Sequence, residues 1–505
     1  MRLKKAKVIM IQGTMSGVGK SMIVTALCRI FTQDGYSTAP FKSQNMALNS
    51  FVTPDGKEIG RAQAVQAEAA LKDCDVRMNP ILLKPFGDKG SQVILNGEVY
   101  GDYDAREYFR IKKRFIPDIM DAYDSLASEN DIIVTEGAGS PAEINLRQDD
   151  IVNMGLAELI DAPVVLAGNI DPGGVFAQLY GTAALLEESE RRRIRGFIIN
   201  KFRGDTELLT PGIRIMEEKL GIPSLGVIPF ADIRLDDEDS LSENLVSKSH
   251  DRPLDIAVVR LRHISNFTDI EPLKAHPQIG IHYAGSSDEL CKPDGALPDA
   301  VIIPGTKNTV DDLKELKECG IADKIKEIAS RGKVVVGICG GYQMLGETID
   351  DVEGIDMSPD QYEGLGLLPV KTVYYEDKRL SRVKGKVFIR EEEGIEAAGY
   401  EIHMGQSIRR DGRPFAVLKD ADGLTYEDGA VKNNIYGTYM HGLFDDPGVV
   451  NAFAELLCRR KGIKFKRAAI PDRNRFRQEQ YDKLADIVRE NVDIDSIYKI
   501  MGIDK

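Results

Sequence analysis

The sequence lacks the segments that membrane and secreted proteins require. No stretch approaches the roughly 20 consecutive apolar residues of a membrane-spanning helix. The basic start MRLKKAK is followed by an apolar run that is too short for the hydrophobic core of a secretion signal. These absences predict a soluble cytoplasmic protein that has no membrane partner.

Basic residues are also in short supply. Lysine and arginine together number 66, against 80 aspartates and glutamates, which gives a net charge of -14 at pH 7. Nucleic acids and anionic membrane surfaces bind proteins through basic faces. The charge balance therefore argues against a nucleic-acid partner. A local basic pocket is compatible with the same net charge.

Cysteines are few and widely spaced. The six cysteines include no C-x-x-C pair, which argues against a zinc knuckle and a disulfide framework and suits a reducing compartment. Cys339 stands apart because glycines flank it closely in GICGG. Burial in the core is the expected state of the other five, which are Cys28, Cys74, Cys291, Cys319 and Cys458.

The sequence does contain short apolar runs that end in glycine or polar residues, as buried parallel strands do. They alternate with helical stretches and form two series, and a chain of 505 residues exceeds what one hydrophobic core usually organises. The first series is KVIMIQG (7–13), DIIVTEGAG (131–139), APVVLAGNID (162–171) and GFIINKFRG (196–204). The second is DIAVVRL (255–261), QIGIHYAG (278–285), DAVIIPGTKNT (299–309), KVVVGICGG (333–341) and IYGTYMHGLF (435–444).

The two series predict an α/β fold with two doubly wound domains, whose ligands bind at the carboxyl ends of the strands. A charged, serine-bearing stretch that ends in proline separates the series and is typical of a linker. We expect a first domain at 1–234, the linker at 235–253, a second domain at 254–449 and a closing helical segment at 450–505.

A glycine-rich loop, GTMSGVGKS, follows the first predicted strand and precedes a helix. Glycines let the backbone turn tightly and direct N–H groups inward, the lysine reaches terminal phosphates, and the serine hydroxyl binds Mg²⁺. The standard motif begins with glycine at the position where this chain has Thr14. The sequence therefore predicts an unusual nucleotide loop formed by Gly13, Thr14, Gly17, Gly19, Lys20 and Ser21.

This spacing resembles the phosphate loop of the dethiobiotin synthetase group, whose members use ATP to phosphorylate a carboxylate or carbamate. The resemblance implies a P-loop-like synthetase domain and roles for three further residues. Glu136 would bind Mg²⁺ together with Ser21, Asn200 (in IINKFRGD) would read the adenine, and Lys42 (in PFKSQNM) would face the reacting carboxylate.

A second motif, GICGGYQMLG (337–346), follows the strand KVVV. Its glycines permit the strained strand-to-helix turn of a nucleophile elbow. A helix N-terminus lowers the pKa of a thiol, so Cys339 is suited to act as a thiolate nucleophile. His441, in YGTYMHGLF, follows a later strand and is the candidate proton donor for the leaving group.

The order cysteine then histidine resembles class I (triad-type) glutamine amidotransferases. The resemblance implies glutamine as a substrate and an oxyanion held by the backbone N–H groups of Gly305 (in PGTKNT) and Gly340. The chain departs from the family at Leu443, where the usual glutamate follows the histidine by two residues. Two alternatives remain open: a different acceptor, such as Glu401 or a group from the other domain, orients His441, or the cysteine and histidine work without one.

A carboxylate-activating site and a glutaminase on one chain indicate an amidoligase, in which ATP forms an acyl phosphate and ammonia from glutamine converts it to an amide. Long blocks resemble the cobyric acid synthase family, and the resemblance covers almost the whole chain. The blocks include PFKSQNMALNSFVTPDGKEIGRAQAVQAEAA (40–70), NPILLKPFGDKGSQVILNG (79–97), TEGAGSPAEINL (135–146) and ISNFTDIEPL (264–273).

This resemblance implies a reaction of cobalamin biosynthesis. The family amidates the b, d, e and g carboxylates of adenosylcobyrinic acid a,c-diamide, with glutamine as nitrogen source, to give adenosylcobyric acid. It implies that Lys42, Gln44 and Asn45 contact the corrinoid, and that Glu58 is a candidate second metal contact. For each of these residues a purely structural role in a loop or packed helix is an equal alternative.

Two other functions remain as alternatives. One is amidation of a different carboxylate, as in cobyrinic acid a,c-diamide synthases, whose corresponding lysine precedes a GPDYID-like segment instead of SQNMALNS. The other is a non-catalytic ATP switch of the ParA or MinD kind. Those proteins carry a second lysine near the start of the loop and have no cysteine elbow, so the sequence favours an amidoligase. It gives no indication of the oligomeric state.

Overall fold

The chain divides into two compact units in the computed structural model, which describes residues 6–86, 90–233, 235, 252–352, 354–356, 359–390 and 393–504. The first unit comprises Met1–Ala47, Glu58–Asp236 and Phe476–Lys505. The second comprises Leu48–Lys57 and Asp237–Arg475.

This division differs from the expected domain boundaries at two places. Residues 48–57 group with the second unit, although they lie inside the sequence of the first predicted domain. The expected closing segment, 450–505, is split, because residues from 476 onward bury their apolar side chains in the core of the first unit. The expected linker, 235–253, lies outside the described residues except for 235, 252 and 253.

The strands are numbered along the chain. The first twelve are β1 (Lys7–Gly13), β2 (Thr38–Phe41), β3 (Gln44–Met46), β4 (Ser50–Val52), β5 (Glu58–Gly60), β6 (Ile81–Phe86), β7 (Gly90–Leu95), β8 (Glu98–Asp104), β9 (Ile132–Glu136), β10 (Val164–Asn169), β11 (Ile194–Phe202) and β12 (Ser224–Pro229). The remainder are β13 (Leu254–Val259), β14 (Ile279–Ala284), β15 (Ala300–Ile303), β16 (Val334–Ile338), β17 (Thr348–Asp351), β18 (Asp360–Glu363), β19 (Val370–Val387), β20 (Ile395–Arg409), β21 (Ala416–Lys419), β22 (Thr425–Asp428), β23 (Ala430–Lys432) and β24 (Ile435–Thr438).

The α-helices are numbered in the same way. They are α1 (Lys20–Gln33), α2 (Arg61–Ala69), α3 (Ala105–Ile111), α4 (Ile116–Glu129), α5 (Met154–Leu159), α6 (Val175–Leu185), α7 (Glu188–Arg191), α8 (Thr210–Leu220), α9 (Thr309–Glu318), α10 (Ile321–Ser330), α11 (Gly340–Leu345), α12 (Pro447–Lys461), α13 (Arg473–Asn491) and α14 (Ile494–Ile500).

The first unit is built on a parallel six-stranded sheet in the order β12-β11-β10-β1-β9-β2. Strands β9 and β10 are buried along their whole length. Both strands begin with apolar residues and end in a polar one, as expected where helices cover both faces of a sheet and the strand ends line a site. Strand β1 lies between β9 and β10, so the loop that follows it opens where the strand order reverses, which is where ligands bind in this fold class.

The last two helices complete the core of the first unit. Leu484 and Val488 of α13 and Tyr498 of α14 are buried in one apolar cluster with Leu27 and Phe31 of α1. The rings of Phe31 and Tyr498 have centroids 5.2 Å apart. Each of these side chains removes apolar surface from water, so α13 and α14 are part of the hydrophobic core that stabilises this unit.

The second unit contains a six-stranded sheet in the order β14-β13-β15-β16-β24-β23, in which every pairing but the last, β24 with β23, is parallel. The predicted doubly wound α/β architecture is therefore confirmed in both halves of the chain. A further sheet, β18-β17-β19-β21-β22 with β20 paired to β19, has no counterpart in the sequence-based expectation. Along the described part of the chain, no helix is both long and apolar enough to cross a membrane.

Candidate functional site

The nucleotide loop connects β1 to α1. Gly17 and Gly19 have φ angles of 72° and 92°, in the left-handed region that favours glycine. A Cβ atom on Gly13 would lie 2.6 Å from Cγ2 of Val18, so the turn can close only around a glycine at that position. The unusual spacing of the motif therefore still produces a tight loop that leads into a helix N-terminus.

Lys20 and Ser21 begin helix α1 and point to the end of strand β9. The ammonium group of Lys20 donates to the carbonyl oxygens of Gly139 and Met15, at 3.1 and 3.4 Å. The Ser21 hydroxyl donates to Oε1 of Glu136 at 2.9 Å. The loop is thus tied to β9 through the carboxylate that was predicted to hold a metal ion.

Glu136 is the centre of a buried polar cluster. Its Oε1 also accepts from Nζ of Lys42 at 2.9 Å, and its Oε2 accepts from Nε2 of Gln66 at 2.6 Å. Burial alone raises the pKa of this carboxyl, but Lys42 and, less strongly, Lys20 and Gln66 outweigh burial and hold the pKa below its ordinary value. Glu136 is consequently an anion at neutral pH, as a metal ligand must be.

Asn200 and Thr14 lie at the two sides of the loop. Nδ2 of Asn200 donates to the carbonyl oxygen of Val18 at 2.8 Å, and the same amide packs against Gly19, where a Cβ atom would approach it to 2.2 Å. The hydroxyl of Thr14 donates to Oε1 of Gln178, on α6, at 3.1 Å. The structure therefore brings Thr14, Lys20, Ser21, Glu136, Lys42 and Asn200 to one edge of the sheet.

Gln44 and Asn45 make other contacts. Gln44 accepts a hydrogen bond from the hydroxyl of Tyr108, and Nδ2 of buried Asn45 donates to Oε1 of Gln63 at 3.0 Å. Both side chains thus hydrogen-bond to residues outside the cluster of Glu136, Lys42 and Gln66.

Glu58 was a candidate metal contact, and the structure gives it a different partner. Its Oε1 lies 2.6 Å from Nζ of Lys84, and both side chains are almost fully buried. A buried carboxylate needs such a partner, because a buried charge left unpaired is strongly destabilising. The hydrogen bonds of Glu136 are instead completed by Gln66, which the sequence analysis did not single out.

The predicted nucleophile occupies a strained turn between β16 and α11. Cys339 has φ 51° and ψ -111°, a conformation that side chains other than glycine rarely adopt. A Cβ atom on Gly337 would lie 2.5 Å from the carbonyl oxygen of Gly341, so the elbow can close only with glycine there. The thiol of Cys339 is 7% exposed and lies 3.5 Å from the carbonyl oxygen of Ile402.

His441 is held between Cys339 and an aspartate. Its side chain interacts electrostatically with Cys339, and its Nδ1 lies 2.7 Å from Oδ2 of Asp269. The other oxygen of Asp269 accepts from the backbone N–H of Gly442 at 2.8 Å, which fixes the carboxylate. Burial lowers the pKa of His441, but Asp269 and Cys339 outweigh burial and raise that pKa to about 10.

Asp269 answers the question that Leu443 raised: a different acceptor does contact His441, but it is neither Glu401 nor a group from the other domain. Glu401 points elsewhere: its Oε2 lies 2.6 Å from Nε of Arg379 and accepts from the hydroxyl of Tyr426 at 2.8 Å. Asp269 belongs to the second unit, as His441 does, so the partner is not a group from the other predicted domain. Asp269 lies in ISNFTDIEPL (264–273), one of the blocks that carry the family resemblance.

The two glycines predicted to serve the oxyanion are close to the Cys339–His441 pair. A Cβ atom on Gly305 would lie 3.1 Å from Cε1 of His441, and one on Gly340 would lie 2.6 Å from Cγ2 of Thr306. The Gly305 carbonyl oxygen accepts from the backbone N–H of Ser265 at 2.9 Å, which holds this turn against its neighbour. The PGTKNT turn that contains Gly305 and the elbow that contains Cys339 and Gly340 thus lie side by side.

The remaining cysteines are only partly as expected. Cys28, Cys74 and Cys458 are buried, whereas Cys291 is half-buried and Cys319 is exposed. The expectation of burial is therefore wrong for the last two. Cys319 is the C-cap residue of helix α9, at a helix end that lies on the protein surface.

Comparison with known proteins shows similarity over nearly the whole chain. Residues 9–241 match the CobQ/CobB/MinD/ParA nucleotide binding domain, and residues 255–449 match the CobB/CobQ-like glutamine amidotransferase domain. A cobyric acid synthase of Lachnoclostridium phytofermentans is 50% identical over 98% of this chain and 99% of its own length. The chain belongs to the cobyric acid synthase family. The cobyric acid synthases of Clostridium acetobutylicum and Ruminiclostridium cellulolyticum are 50% and 49% identical, each over 98% of this chain and over 99% and 97% of their own lengths.

Membership of the cobyric acid synthase family confirms several predictions. The chain combines a nucleotide-binding domain, which implies ATP, with a glutamine amidotransferase domain. It is therefore a glutamine-hydrolysing carbon–nitrogen ligase, and the alternative of a non-catalytic ATP switch loses its support.

Among the described residues of this family member, no group of three or more histidine, cysteine, aspartate or glutamate side chains could bind a metal ion on its own. The donors that fit Mg²⁺ are the Ser21 hydroxyl and the Glu136 carboxylate, which are the hard oxygen ligands that this ion prefers. In known nucleotide sites, phosphate oxygens and water complete the coordination of Mg²⁺. A two-donor protein site is therefore consistent with Mg²⁺ that arrives with ATP.

Proposed function

We propose that this protein amidates the b, d, e and g carboxylates of adenosylcobyrinic acid a,c-diamide, with ATP and glutamine, to give adenosylcobyric acid in cobalamin biosynthesis. The observation that carries the proposal is the similarity of 98% of the chain to cobyric acid synthases, together with a Cys339–His441–Asp269 arrangement. The cytoplasm is the compartment that suits this reaction and the free cysteines.

The first unit supplies an activated carboxylate. A carboxylate is a poor electrophile, so transfer of the γ-phosphoryl group of ATP to it creates an acyl phosphate with a good leaving group. The N–H groups of the loop and the ammonium group of Lys20 stabilise negative charge on the phosphates. Asn200 would read the adenine, and Mg²⁺ held by Ser21 and Glu136 would neutralise phosphate charge.

Lys42 is the residue best placed to meet the acceptor carboxylate. Its ammonium group lies beside Glu136 and is almost fully buried, so little water screens its charge. Gln44 and Asn45 follow it in sequence and are proposed as corrinoid contacts on the same segment. Their present hydrogen bonds to Tyr108 and Gln63 would have to be exchanged for bonds to the substrate.

The second unit supplies ammonia. The Cys339 thiolate attacks the side-chain carbonyl carbon of glutamine, and N–H groups at Gly305 and Gly340 stabilise the oxyanion that forms. Collapse of this intermediate breaks the C–N bond as the nitrogen takes a proton from His441. Water, deprotonated by the now neutral His441, then hydrolyses the thioester, which gives glutamate and restores the thiol proton to the Cys339–His441 pair.

Asp269 supports both roles of His441. Its carboxylate accepts a hydrogen bond from Nδ1–H, which leaves Nε2 as the nitrogen that exchanges a proton with Cys339, ammonia or water. The negative charge also stabilises the imidazolium. Ammonia then attacks the acyl phosphate carbon and phosphate leaves, and exclusion of water keeps the ammonia unprotonated and nucleophilic.

Mass spectrometry of the corrinoid tests this proposal. We expect incubation of adenosylcobyrinic acid a,c-diamide with the protein, ATP, Mg²⁺ and glutamine to produce successive small mass decreases, each equal to the exchange of a hydroxyl for an amino group. Samples without ATP are the control and should keep the starting mass. An unchanged corrinoid in the complete reaction would refute the assignment, and conversion of cobyrinic acid to its a,c-diamide would favour the sister enzyme.

A further inference from the structure

Residues 48–57 lie within the match to the nucleotide-binding domain, yet they group with the second unit. Within that unit they contact three residues that themselves touch Cys339 or His441. These three residues are Asn266, Tyr400 and Ile402.

The first contact is an exchange of hydrogen bonds with Asn266. The backbone N–H of Asn266 donates to Oδ1 of Asn49 at 2.7 Å, and the backbone N–H of Ser50 donates to Oδ1 of Asn266 at 3.3 Å. Because the side-chain oxygen of Asn266 accepts from Ser50, its amino group faces the other way. That amino group lies 3.3 Å from Nε2 of His441.

This nitrogen of His441 is the one that exchanges a proton with Cys339, because Nδ1 is committed to Asp269. After His441 has protonated ammonia, Nε2 carries a lone pair and can accept from the Asn266 amino group. Asn266 itself has φ 49°, in the left-handed region, which asparagine adopts more readily than most residues. The hydrogen bond from its backbone N–H to buried Asn49 fixes Asn266 in this conformation.

The second and third contacts are apolar. The ring of Phe51 packs edge-on against Tyr400 with centroids 4.9 Å apart, and Tyr400 is stacked on the His441 ring at 5.3 Å. Val52 is buried in one cluster with Tyr400 and Ile402. The carbonyl oxygen of Ile402 is the acceptor that lies 3.5 Å from the Cys339 thiol.

We propose that residues 48–57 are a working part of the glutaminase site, and that Asn49 is a positioning residue that acts on His441 through Asn266. The inference rests on the proposed function, since it assumes that Cys339 and His441 hydrolyse glutamine. It assigns a glutaminase role to a segment whose sequence belongs to the ATP-dependent half. Small displacements of a proton-transfer group lower rates steeply, because catalysis depends on near-attack geometry.

The test compares Asn49→Ala with Asn49→Asp in the full-length protein, with glutamate release as the measure of glutaminase activity. Asn49→Ala removes the oxygen that accepts from Asn266, so kcat should fall about tenfold or more with little change in KM for glutamine. Asn49→Asp keeps an oxygen in the same place and should restore most of the lost kcat. A role in general stability alone would not produce this rescue.

Asn451→Ala is the matched control. Asn451 is also buried in the second unit, and its Oδ1 accepts from the backbone N–H of Ala468 at 2.9 Å, but it is hydrogen-bonded within the α12 region and not to Asn266. This variant should keep the glutaminase kcat of the parent protein. An equal fall of kcat in Asn451→Ala and Asn49→Ala would overturn the proposal.

Phe51→Leu gives an independent measurement if Asn49→Ala does not fold. It keeps apolar volume but loses the edge-on ring contact with Tyr400, so kcat should fall while circular dichroism stays unchanged. Parental kcat in folded Phe51→Leu, or in folded Asn49→Ala, would refute the proposal. Absence of glutaminase activity from the parent protein would instead refute the proposed function, so the two failures are distinguishable.

Discussion

The two sites hold their buried charges in different ways. In the first unit, donors surround both oxygens of Glu136, and one of them is the ammonium group of Lys42. In the second unit, His441 already lies between Asp269 and Cys339. In the proposed reaction the site around Glu136 would have to exchange contacts to bind Mg²⁺ and a carboxylate, because Lys42 already donates to an oxygen that the metal ion would use. The second site has its proton-transfer groups in place.

This contrast follows from the chemistry of the two half-reactions. Phosphoryl transfer needs a charge balance that is completed by ATP, metal ion and acceptor, so a stable resting site must neutralise Glu136 from within the protein. Glutamine hydrolysis needs only a nucleophile, a proton carrier and water. If the two half-reactions are separable, single substitutions should abolish one and spare the other.

The largest effect is expected from Cys339→Ala. Without the nucleophilic sulfur no thioester can form, so glutamine-dependent amidation and glutamate release should both vanish. Amidation with ammonium salts should survive, because ammonia then reaches the acyl phosphate without the second site. The measurement is corrinoid mass with each nitrogen source, and equal loss with both sources would contradict a division into two sites.

Asp269→Asn should lower the glutaminase kcat on the order of ten-thousandfold, by analogy with the same substitution of the orienting aspartate in a Ser-His-Asp triad. The amide can donate to Nδ1 and so favours the wrong tautomer of His441. Glu401→Gln is the comparison, because Glu401 was expected to do this work and contacts Arg379 and Tyr426 instead. A comparable loss of kcat in Glu401→Gln would return the role to that residue.

Lys20→Ala should reverse the pattern of Cys339→Ala. Removing a charge that stabilises the phosphates should lower amidation on the order of 10²–10³-fold with either glutamine or ammonia as nitrogen source. Glutamate release, measured without ATP, should remain. Amidation that continues at the parental rate with ammonia would show that this loop does not bind the nucleotide.

How far the sequence predicted each site depends on how the site is assembled. The nucleotide loop and the cysteine elbow are contiguous motifs, so their residues could be named directly. Lys42 and Glu136 are far apart in sequence, but they follow the adjacent parallel strands β2 and β9, and strand ends on one edge of a sheet meet. This made their proximity predictable.

Asp269 and the second sheet of the amidotransferase unit were not predictable in this way. Asp269 is 172 residues from His441 and lies in a 3-10 helix, Phe267–Ala275, which has no periodic signal. Strands β19 and β20 contain many charged residues and are only partly buried, so no apolar run marks them. The grouping of 48–57 and 476–505 depends on tertiary contacts that local patterns do not encode.

A smaller effect should separate the stabilities of the two units. Leu484 of α13 and Leu457 of α12 are similarly buried, at 2% and 1% exposure, but belong to the cores of the first and second unit respectively. Truncation of each leucine to alanine should cost about 2–5 kcal/mol in its own unit. Relative to the parent protein, ammonia-dependent amidation should then be inactivated at a lower temperature in Leu484→Ala. Glutaminase activity should be inactivated at a lower temperature in Leu457→Ala. Identical inactivation of both activities in both variants would argue against separate cores.

The pH profile of glutaminase activity should give the finest test of the His441 environment. Asp269 and Cys339 raise the pKa of His441 to about 10, so the imidazolium that protonates ammonia persists through neutral pH and is lost only as pH rises through that value. We expect kcat to be nearly constant around neutrality and to fall at the alkaline end, with circular dichroism used to confirm folding. In Asp269→Asn the stabilising anion is absent, so the residual activity should fall at lower pH. If kcat fell over the same alkaline pH range in the parent protein and in Asp269→Asn, Asp269 would not set the charge of His441. Its hydrogen bond would then only orient the ring.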